Sequence, residues 1–507
     1  MAQLIGQAHG ADKLVRYSLI AGESALAAHA PEQALAYFER ALATKGDQAM
    51  DNETAALLFG LGRAQLAKLA PRDWGPTVTI MRRAFDYYAE TGDVSSAVAV
   101  AAHPLPDSLG IGQTEIAELI AGALTLVPSD SLEAGRLLSS HGWLSGVVEA
   151  DYEAAQAAFE RALAIAERQS DAALERRTLA RAAFVDAFHL RWQDCLTKGL
   201  HALELARDAE DLRHEVTAHR LVAWALTVQG EREQARFHAA AALACAERLR
   251  ERWSLASVGF HNELLSLYEG DWRAAREISE LGLAAQPWDP RHLGLRAVLE
   301  YELGEFEEGA PYIARLQEAV RSVPPPGPTG DHVFMAALVP LLGHIAGADD
   351  RLVEVRALAE GVLSLPRLPP GLAMVTKVGL ALIAVERRDA QAAEALYAAI
   401  DPEKGTAVWL VPFAVDRLLG LLALTCGWID AAVRHFEDGL AFCDRAGYRA
   451  QYAWTACEYA EALLARGGPG DRDKAVALQD EALALARELG MRPLMERILA
   501  RREILTA

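Results

Sequence analysis

Cysteine is scarce in this sequence, and no apolar run is long. The 507 residues include five cysteines, an odd number without any C-x-x-C pair, which argues against a disulfide framework and a zinc ribbon. The longest apolar stretch, Val333 to Ile345, is too short for a membrane span and contains a proline and a histidine. The N-terminus lacks the charged and then apolar layout of a signal peptide. We therefore expect reduced thiols, no membrane partner and a cytoplasmic location.

Positive charge is also scarce. Acidic residues outnumber basic ones by 70 to 50, which gives a formal charge of -20 at pH 7. A protein that binds a nucleic acid needs a positive surface that releases counterions from the phosphates. The composition therefore predicts no direct nucleic-acid partner.

What the sequence does contain is a short repeated pattern. A turn is followed by a helix start and then by small or aromatic residues at i, i+4 and i+7, as in Ala155, Phe159 and Ala162. This spacing places the three side chains on one face of a helix. The first residue of this stripe recurs about every 40 residues, at Ala34, Thr77, Ala117, Ala155, Cys195, Ala235, Ala275, Gly309, Leu352, Ala393, Ala432 and Ala475.

Two further columns support this register. Aromatic residues stand three positions before the stripe in five units, at Trp74, Tyr152, Trp192, Trp272 and Phe306. Small residues stand twelve positions before it in six units, at Gly22, Ala183, Ala223, Ala297, Ala381 and Gly420. We expect small residues of the two helices to face each other, and the aromatic residues to bury a large area over the open side of each hairpin.

This arrangement of small residue, aromatic, Ala, Phe and Ala resembles the tetratricopeptide repeat (TPR), a helix-turn-helix unit whose usual period is 34 residues. The longer period here is similar to that of the helical arm of MalT-like signalling ATPases and related large bacterial regulators. The resemblance implies an all-α fold, a right-handed α-solenoid of about twelve helix-turn-helix repeats. In that family the arm follows an ATPase module, and this sequence contains no such module.

The repeats fall into two groups. Residues 1–321 contain eight predicted hairpins, and residues 333–507 contain four. Between them, residues 322–332 are rich in proline and glycine and cannot form a helix. This stretch is either a long loop within one continuous solenoid or a hinge between two arms.

Motifs that would carry chemistry are missing or have the wrong spacing. A phosphate-binding P-loop needs a Gly-Lys dipeptide, which occurs nowhere in the sequence. His214 and His219 are five positions apart, about 140° around a helix, so both cannot bind one metal ion. The glycines between Gly467 and Asp471 indicate a turn between two helices rather than a ligand site. We therefore predict no catalytic residue, no cofactor and no metal site.

The inner face of the solenoid is where we expect a partner to bind. First-helix positions in units five to eight carry arginines and aromatic residues, which suit an extended peptide or a small amphiphilic effector. The alternative is that the longer helices of a 40-residue repeat pack these side chains inside the layer. The candidate groove residues are Arg177, Phe184, Phe188, Arg220, Trp224, Phe260, Tyr268, Arg291 and Tyr301.

The sequence therefore predicts a non-enzymatic scaffold that binds a protein or an effector, as the regulatory or sensing arm of a signalling or transcription-regulating system. The alternative is an enzyme whose site lies in a loop, such as residues 103–114 or 322–332, and is not recognisable from sequence.

Overall fold

The protein forms two compact units, residues 1–182 and 183–507. A computed structural model of the chain describes residues 2–28, 30–46, 50–68, 75–103, 113–321, 330–347 and 351–506.

In the described residues of the first unit, helices are the only regular secondary structure. The ninth helix crosses the boundary between the units. The helices are α1 (Ala2–Ala27), α2 (Pro31–Lys45), α3 (Asn52–Lys68), α4 (Gly75–Thr91), α5 (Val94–Ala101), α6 (Gln113–Leu126), α7 (Leu132–Val147), α8 (Tyr152–Gln169) and α9 (Ala172–Phe188).

The second unit continues the same pattern. A short 3₁₀ helix spans Asp401–Glu403, after which the chain stays irregular until Val415. The helices are α10 (Trp192–Asp208), α11 (Leu212–Gln229), α12 (Arg232–Leu249), α13 (Arg252–Glu269), α14 (Trp272–Ala285), α15 (Pro290–Glu302), α16 (Phe306–Arg321), α17 (Gly330–Ala346), α18 (Leu352–Leu363), α19 (Pro370–Arg387), α20 (Ala390–Ile400), α21 (Val415–Thr425), α22 (Ile429–Ala446), α23 (Arg449–Arg466), α24 (Asp471–Leu489) and α25 (Arg492–Thr506).

The chain is an all-α solenoid, as the repeat predicts. Helices adjacent in sequence pack as hairpins, such as α1 on α2, α7 on α8 and α11 on α12. Within the second unit, helices far apart in sequence also meet, because α13 packs against α23 and α15 against α25. The described ranges contain no β-sheet, and one isolated bridge joins Ala407 to Ala414.

Local signals explain where the helices stop and start. Gly270 ends α13 with φ at +77°, in the left-handed region that glycine adopts without strain. The next residue, Asp271, caps α14 by accepting a hydrogen bond from the backbone N–H of Ala274. The turn in the repeated sequence pattern is therefore a helix stop followed directly by a helix start.

The predicted register is correct in most units and shifted in two. In α6 the buried stripe is Ile116, Ile120 and Ala123 rather than one that starts at Ala117, and in α18 it is Val355, Ala359 and Val362 rather than one that starts at Leu352. Each of the twelve first stripe residues lies near the start of the second helix of a hairpin, and all are buried except Ala117, which is half-buried. Ala223 packs with Ala239 of the second helix, small residue against small residue, as expected, but Gly420 faces a different partner. A Cβ atom on Gly420 would lie 2.7 Å from the ring of Phe436, the second stripe residue. The glycine therefore makes room for a phenylalanine rather than for another small side chain.

The aromatic column does not bury a uniformly large area. Trp192 is buried, but Phe306 is 40% exposed, and Trp74 lies outside the described residues. The prediction that these residues cover the hairpins therefore holds for Trp192 and is wrong for Phe306.

The remaining sequence predictions concern the division at residues 322–332, the long apolar stretch and membrane spans. Residues 322–329 lie outside the described residues, so the division at 322–332 stays a prediction, and both helices that flank it belong to the second unit. The expectation that the whole stretch cannot form a helix is wrong for residues 330–332, because α17 begins at Gly330. The long apolar stretch Val333–Ile345 forms the buried part of α17. Across the described residues, every helix is too short or too polar to cross a bilayer.

Candidate functional site

A non-helical segment of the second unit is completely buried. Residues Ala407–Ala414, here called the inserted segment, are all buried, and those other than Pro412 are at most 5% exposed. The backbone N–H of Val408 donates to the carbonyl of Phe413 at 3.0 Å, which folds the segment back on itself. An apolar loop of this kind is unusual, because buried loops must find partners for their backbone polar groups.

Helices α11, α13 and α23 supply those partners. The N–H of Ala407 donates to the carbonyl of Val228 at 2.9 Å. The hydroxyl of Tyr268 lies 2.7 Å from the carbonyl of Val408 and 2.9 Å from that of Val411, and it accepts a hydrogen bond from the N–H of Phe413. The amide of Gln451 donates to the carbonyl of Pro412 at 2.7 Å. Burial raises the pKa of Tyr268 well above its usual value, so the hydroxyl keeps the proton that it donates.

Trp409 anchors the inserted segment. Its side chain is 2% exposed, and its ring lies 4.9 Å from Trp224, 5.1 Å from Phe188 and 5.8 Å from Trp192, in edge-to-face geometries. Such pairs contribute about 0.5–1.5 kcal/mol each beyond area burial. We call the three rings around Trp409, those of Phe188, Trp192 and Trp224, together with Tyr268, which binds the backbone of the segment, the aromatic cradle.

The structure brings several of the candidate groove residues together. Phe184 stacks on Phe188 at 4.7 Å, and the guanidinium of Arg220 lies 4.7 Å from the ring centroid of Trp224. In the next hairpins Arg291 lies over Phe260 at 5.4 Å.

Their side chains are more enclosed than those of an open groove. Seven of the nine are buried, whereas Arg177 and Arg291 are half-buried. The inserted segment covers Phe188, Trp224 and Tyr268. Burial agrees with the alternative that these residues pack inside the layer, and their role in binding a partner stays a prediction. Tyr301 packs on Phe306 away from the cradle, and Arg177 belongs to the first unit.

Sequence reasoning missed the inserted segment. A signal was present, since nine consecutive apolar residues, Ala407 to Val415, come after Gly405 and Thr406 and include a proline. Such a run fits neither the period of an amphipathic helix nor a polar turn. The apolar run itself does not indicate which residues contact the inserted segment.

A buried ionic cluster lies next to the segment. Arg417 stacks on Phe413 at 4.2 Å and donates from Nε and Nη2 to both oxygens of Glu458 at 2.7 Å. His344 joins Glu458 to Glu386, at 3.0 and 2.8 Å. Burial acts to raise the pKa of Glu458, but the charges and hydrogen bonds of Arg417 and His344 outweigh it and hold that pKa far below its ordinary value.

Glu302 in the same cluster behaves in the opposite way. Its Oε2 accepts a hydrogen bond from the indole N–H of Trp454 at 2.9 Å. Burial raises the pKa of Glu302 to about 7, and this effect exceeds the opposing effects of Trp454 and Arg417. The cluster is therefore sensitive to pH in the physiological range.

One hydrogen-bonded chain has the order of a catalytic triad. The hydroxyl of Tyr397 lies 2.7 Å from Nε2 of His435, whose Nδ1 lies 3.0 Å from Oδ1 of Asp416. However, burial and the nearby Asp401 raise the pKa of Tyr397, which opposes activation of its hydroxyl as a nucleophile. The other oxygen of Asp416 accepts the N–H of Gly405 at 2.6 Å. This row of hydrogen bonds therefore holds the backbone at Gly405, just before the inserted segment begins.

Residues of the histidine pair and of the glycine turn, which the sequence analysis excluded as a metal site and a ligand site, form hydrogen bonds to other residues. His214 lies 2.8 Å from Asp211, and Nδ1 of His219 lies 2.9 Å from Nδ1 of His238. Asp471 accepts hydrogen bonds from Arg466 and from the N–H of Gly468, which closes the glycine turn. In the part of the chain that the structure describes, no three His, Cys, Asp or Glu side chains are grouped to hold a metal ion.

Comparison with known proteins gives a likeness at the level of structure alone. No family model and no curated protein matches the chain. The crystal structure of yeast Tom70 is 15% identical, with a TM-score of 0.36 over 92% of this chain and 99% of that chain. The Cut9–Hcn1 hetero-tetramer of the APC/C is 16% identical, with a TM-score of 0.41 over 96% of each chain. Scores this low carry no inference about function or partners.

Proposed function

We propose that this protein is a non-enzymatic scaffold that binds a segment of a protein partner, as the regulatory or sensing arm of a signalling or transcription-regulating system. The observation that supports this proposal is how the helices of the second unit bind the inserted segment. There, helical hairpins hold a non-helical apolar peptide through its main chain and through one tryptophan.

The contacts to the inserted segment are of the kinds by which proteins recognise peptides. Backbone groups are satisfied by Val228, Tyr268 and Gln451, which requires no particular side chains on the bound segment. Trp409 in the aromatic cradle then supplies specificity, as an aromatic anchor does at an interface. A scaffold of such hairpins can apply the same means to another polypeptide.

The segment itself is a permanent part of the second unit. Burying a valine, leucine or phenylalanine side chain contributes about 1.5–3 kcal/mol, and the segment buries Val408, Trp409, Leu410, Val411 and Phe413. The sum is comparable to the whole stability of a typical domain, about 5–15 kcal/mol. A partner therefore binds hairpin surfaces that the segment leaves free.

The proposal is tested by supplying the segment in trans. Protease sites are introduced after Lys404 and before Val415 in the full chain, and the protein is cleaved while folded. We expect the released peptide to stay bound during gel filtration, to leave in denaturant, and to rebind on refolding. A peptide with Trp409→Ala and Phe413→Ala is the matched control and should not rebind. Failure of the natural peptide to rebind a refolded, helical protein would contradict peptide recognition by the hairpins.

The regulatory role is tested separately. The full chain, tagged and purified from its own cells, should copurify with an ATPase or a transcription regulator in a stable stoichiometry. Purification of the chain without any such partner would contradict the regulatory role and leave peptide recognition intact.

A further inference from the structure

We propose that the second unit binds a second copy of this chain by repeating, between molecules, a contact that it already makes within itself. One copy offers an edge formed by three hairpin turns, and the other copy offers an edge formed by three connecting loops. This inference does not rest on the proposed scaffold function.

Within the second unit, hairpin turns pack against connecting loops from later in the chain. A hairpin turn links the two helices of one hairpin, and a connecting loop links one hairpin to the next. The turns are residues 189–191, 230–231 and 270–271, and the loops that they meet, in the same order, are residues 401–414, 447–448 and 490–491. Each turn therefore meets the loop that follows the hairpin five places later. We call this the internal turn–loop contact.

Aromatic side chains and backbone groups make the internal turn–loop contact. The ring of Trp192, directly after the first turn, lies 5.8 Å from the ring of Trp409 in the first loop. In the second loop, the hydroxyl of Tyr448 donates to a backbone carbonyl near the end of α11 at 2.6 Å. The indole N–H of Trp272, directly after the third turn, donates to the carbonyl of Leu489 at 2.6 Å. Because equivalent places in successive hairpins take part, the regular stacking of the repeats brings the turns and loops together.

Two further rows of turns and loops lie outside this contact. The hairpins that contribute turns to it have their loop ends facing away from it, and those that contribute loops have their turn ends facing away. We call the first row the loop edge, which comprises residues 209–211, 250–251 and 286–289, and the second row the turn edge, which comprises residues 388–389, 426–428 and 467–470. The loop edge of a second copy can therefore join the turn edge by the same step of five hairpins that operates within one chain.

The first turn and the first loop of the two edges carry opposite charges. Arg387 and Arg388 are exposed at the turn, and Asp208 and Glu210 are exposed at the loop. The acid in the same turn, Asp389, is engaged as the N-cap of α20. Exposed charges of opposite sign favour this alignment of the edges and disfavour one that brings like charges together.

The second and third positions place an arginine opposite a tryptophan. Trp428 is 39% exposed at the second turn, and Arg250 is exposed in the second loop. At the third position the roles are exchanged, because Arg472 is exposed just after the turn and Trp288 is 43% exposed in the loop. A guanidinium is attracted to the face of an indole ring, and tryptophan and arginine are the residues that most often dominate the energy of an interface. All three positions are complementary when the edges follow the order of the internal turn–loop contact.

The first test is sedimentation velocity of the full chain over a wide range of concentrations. The two edges face in opposite directions, so the contact does not close, and we expect dimers and then longer oligomers as the concentration rises. Trp428→Glu and Trp288→Glu should each weaken association at least about tenfold, because each removes an aromatic anchor from one edge. Phe237→Glu is the matched control and should associate as the wild type does, since Phe237 is 61% exposed on α12 outside both edges. A wild type that is monomeric at every concentration, or that stops at a closed dimer, would overturn the proposal.

The second test mixes the two tryptophan variants. Trp428→Glu keeps an intact loop edge, and Trp288→Glu keeps an intact turn edge. We therefore expect a mixture of the two to form a one-to-one dimer that does not grow further, although each variant alone is a monomer. A mixture that stays monomeric would show that the turn edge does not bind the loop edge.

The third test examines the alignment of the edges by reversing charges. Arg388→Glu and Glu210→Arg should each weaken association, and the double variant should restore it, because the reversed charges again face each other in every contact between copies. Circular dichroism should show the same thermal unfolding for all three variants, since both residues are exposed. A double variant that associates as weakly as the single variants would refute the proposed alignment.

Discussion

At the scale of single residues, Trp409 is the side chain that anchors the inserted segment. It lies among the rings of Phe188, Trp192 and Trp224 and is 2% exposed. Tyr268 complements it, because one hydroxyl serves the backbone of Val408, Val411 and Phe413. The tryptophan contributes mainly buried area, whereas the tyrosine satisfies polar groups that water cannot reach.

We expect Trp224→Ala to destabilise the protein rather than to weaken binding alone. Trp224 is 4% exposed and contacts Trp409, so its removal leaves a cavity that costs about 3–5 kcal/mol. Urea unfolding followed by circular dichroism measures this loss. Phe237→Ala is the control, since Phe237 is 61% exposed and its change should alter stability by less than about 0.5 kcal/mol. Equal losses for the two variants would contradict the packing role of Trp224.

We expect Glu302 to make stability depend on pH. Its pKa in the folded protein, about 7, is above the ordinary value of 4.5. The folded state therefore holds the proton more tightly than the unfolded state, so the contribution of Glu302 is fully present below about pH 4.5 and is lost as the pH rises through 7. Glu302→Gln keeps an acceptor for Trp454 and should remove that decline, which amounts to about 1–3 kcal/mol.

The difference between wild type and Glu302→Gln, measured by urea unfolding at several pH values from 4.5 to 8, isolates this effect. Two buried histidines act with the opposite sign. Burial lowers the pKa of His219 to about 4 and that of His261 to about 3. Their contribution is present above about pH 6.5 and is lost as the pH falls. A wild-type curve parallel to that of Glu302→Gln would refute the role of Glu302.

At the scale of helices, the repeat sets which residues form the seams between neighbours. Ala235, Ala239 and Ala242 are each at most 1% exposed along one face of α12. Alanine lets the helices approach closely and favours the helix itself. A stripe of this kind cannot accept larger side chains without moving a helix.

We expect Ala235→Leu to cost about 1–3 kcal/mol, because added methylene groups enter a seam that is already full. Glu233→Leu on the same helix should be nearly neutral, since Glu233 is exposed. Chemical denaturation of the two variants measures the contrast. A similar loss for both would mean that the face of α12 assigned to the seam is wrong.

At the scale of the molecule, each unit has its own core. Val15, Phe38 and Leu57 belong to a cluster of the first unit, whereas the second unit buries the inserted segment and the ionic cluster around Arg417. Damage to one core should therefore remain largely within its unit.

We expect Trp409→Ala to increase amide hydrogen exchange in α11, α13 and α21 and to leave α2 and α3 unchanged. The physical reason is that exchange from a core follows the stability of its own cooperative unit. Hydrogen exchange with mass spectrometry measures both regions in one sample. Equal acceleration in the two units would show that they unfold as one.

The helices, the register of most hairpins and the all-α fold follow from the sequence by itself. Their determinants are local, since a stripe at i, i+4 and i+7, a glycine such as Gly270 and a cap such as Asp271 act within one or two turns. The same local physics predicts that first helices carry the arginines and aromatic residues of the candidate site.

The tertiary structure alone determines which residues the arginines and aromatic side chains of the candidate site contact. Tyr268 meets Val408 across 140 residues, and nothing in the period of either segment specifies that contact. The inserted segment covers part of the expected groove, because an apolar run that cannot be helical must be buried somewhere, and the cradle offers both aromatic surface and hydrogen-bond partners.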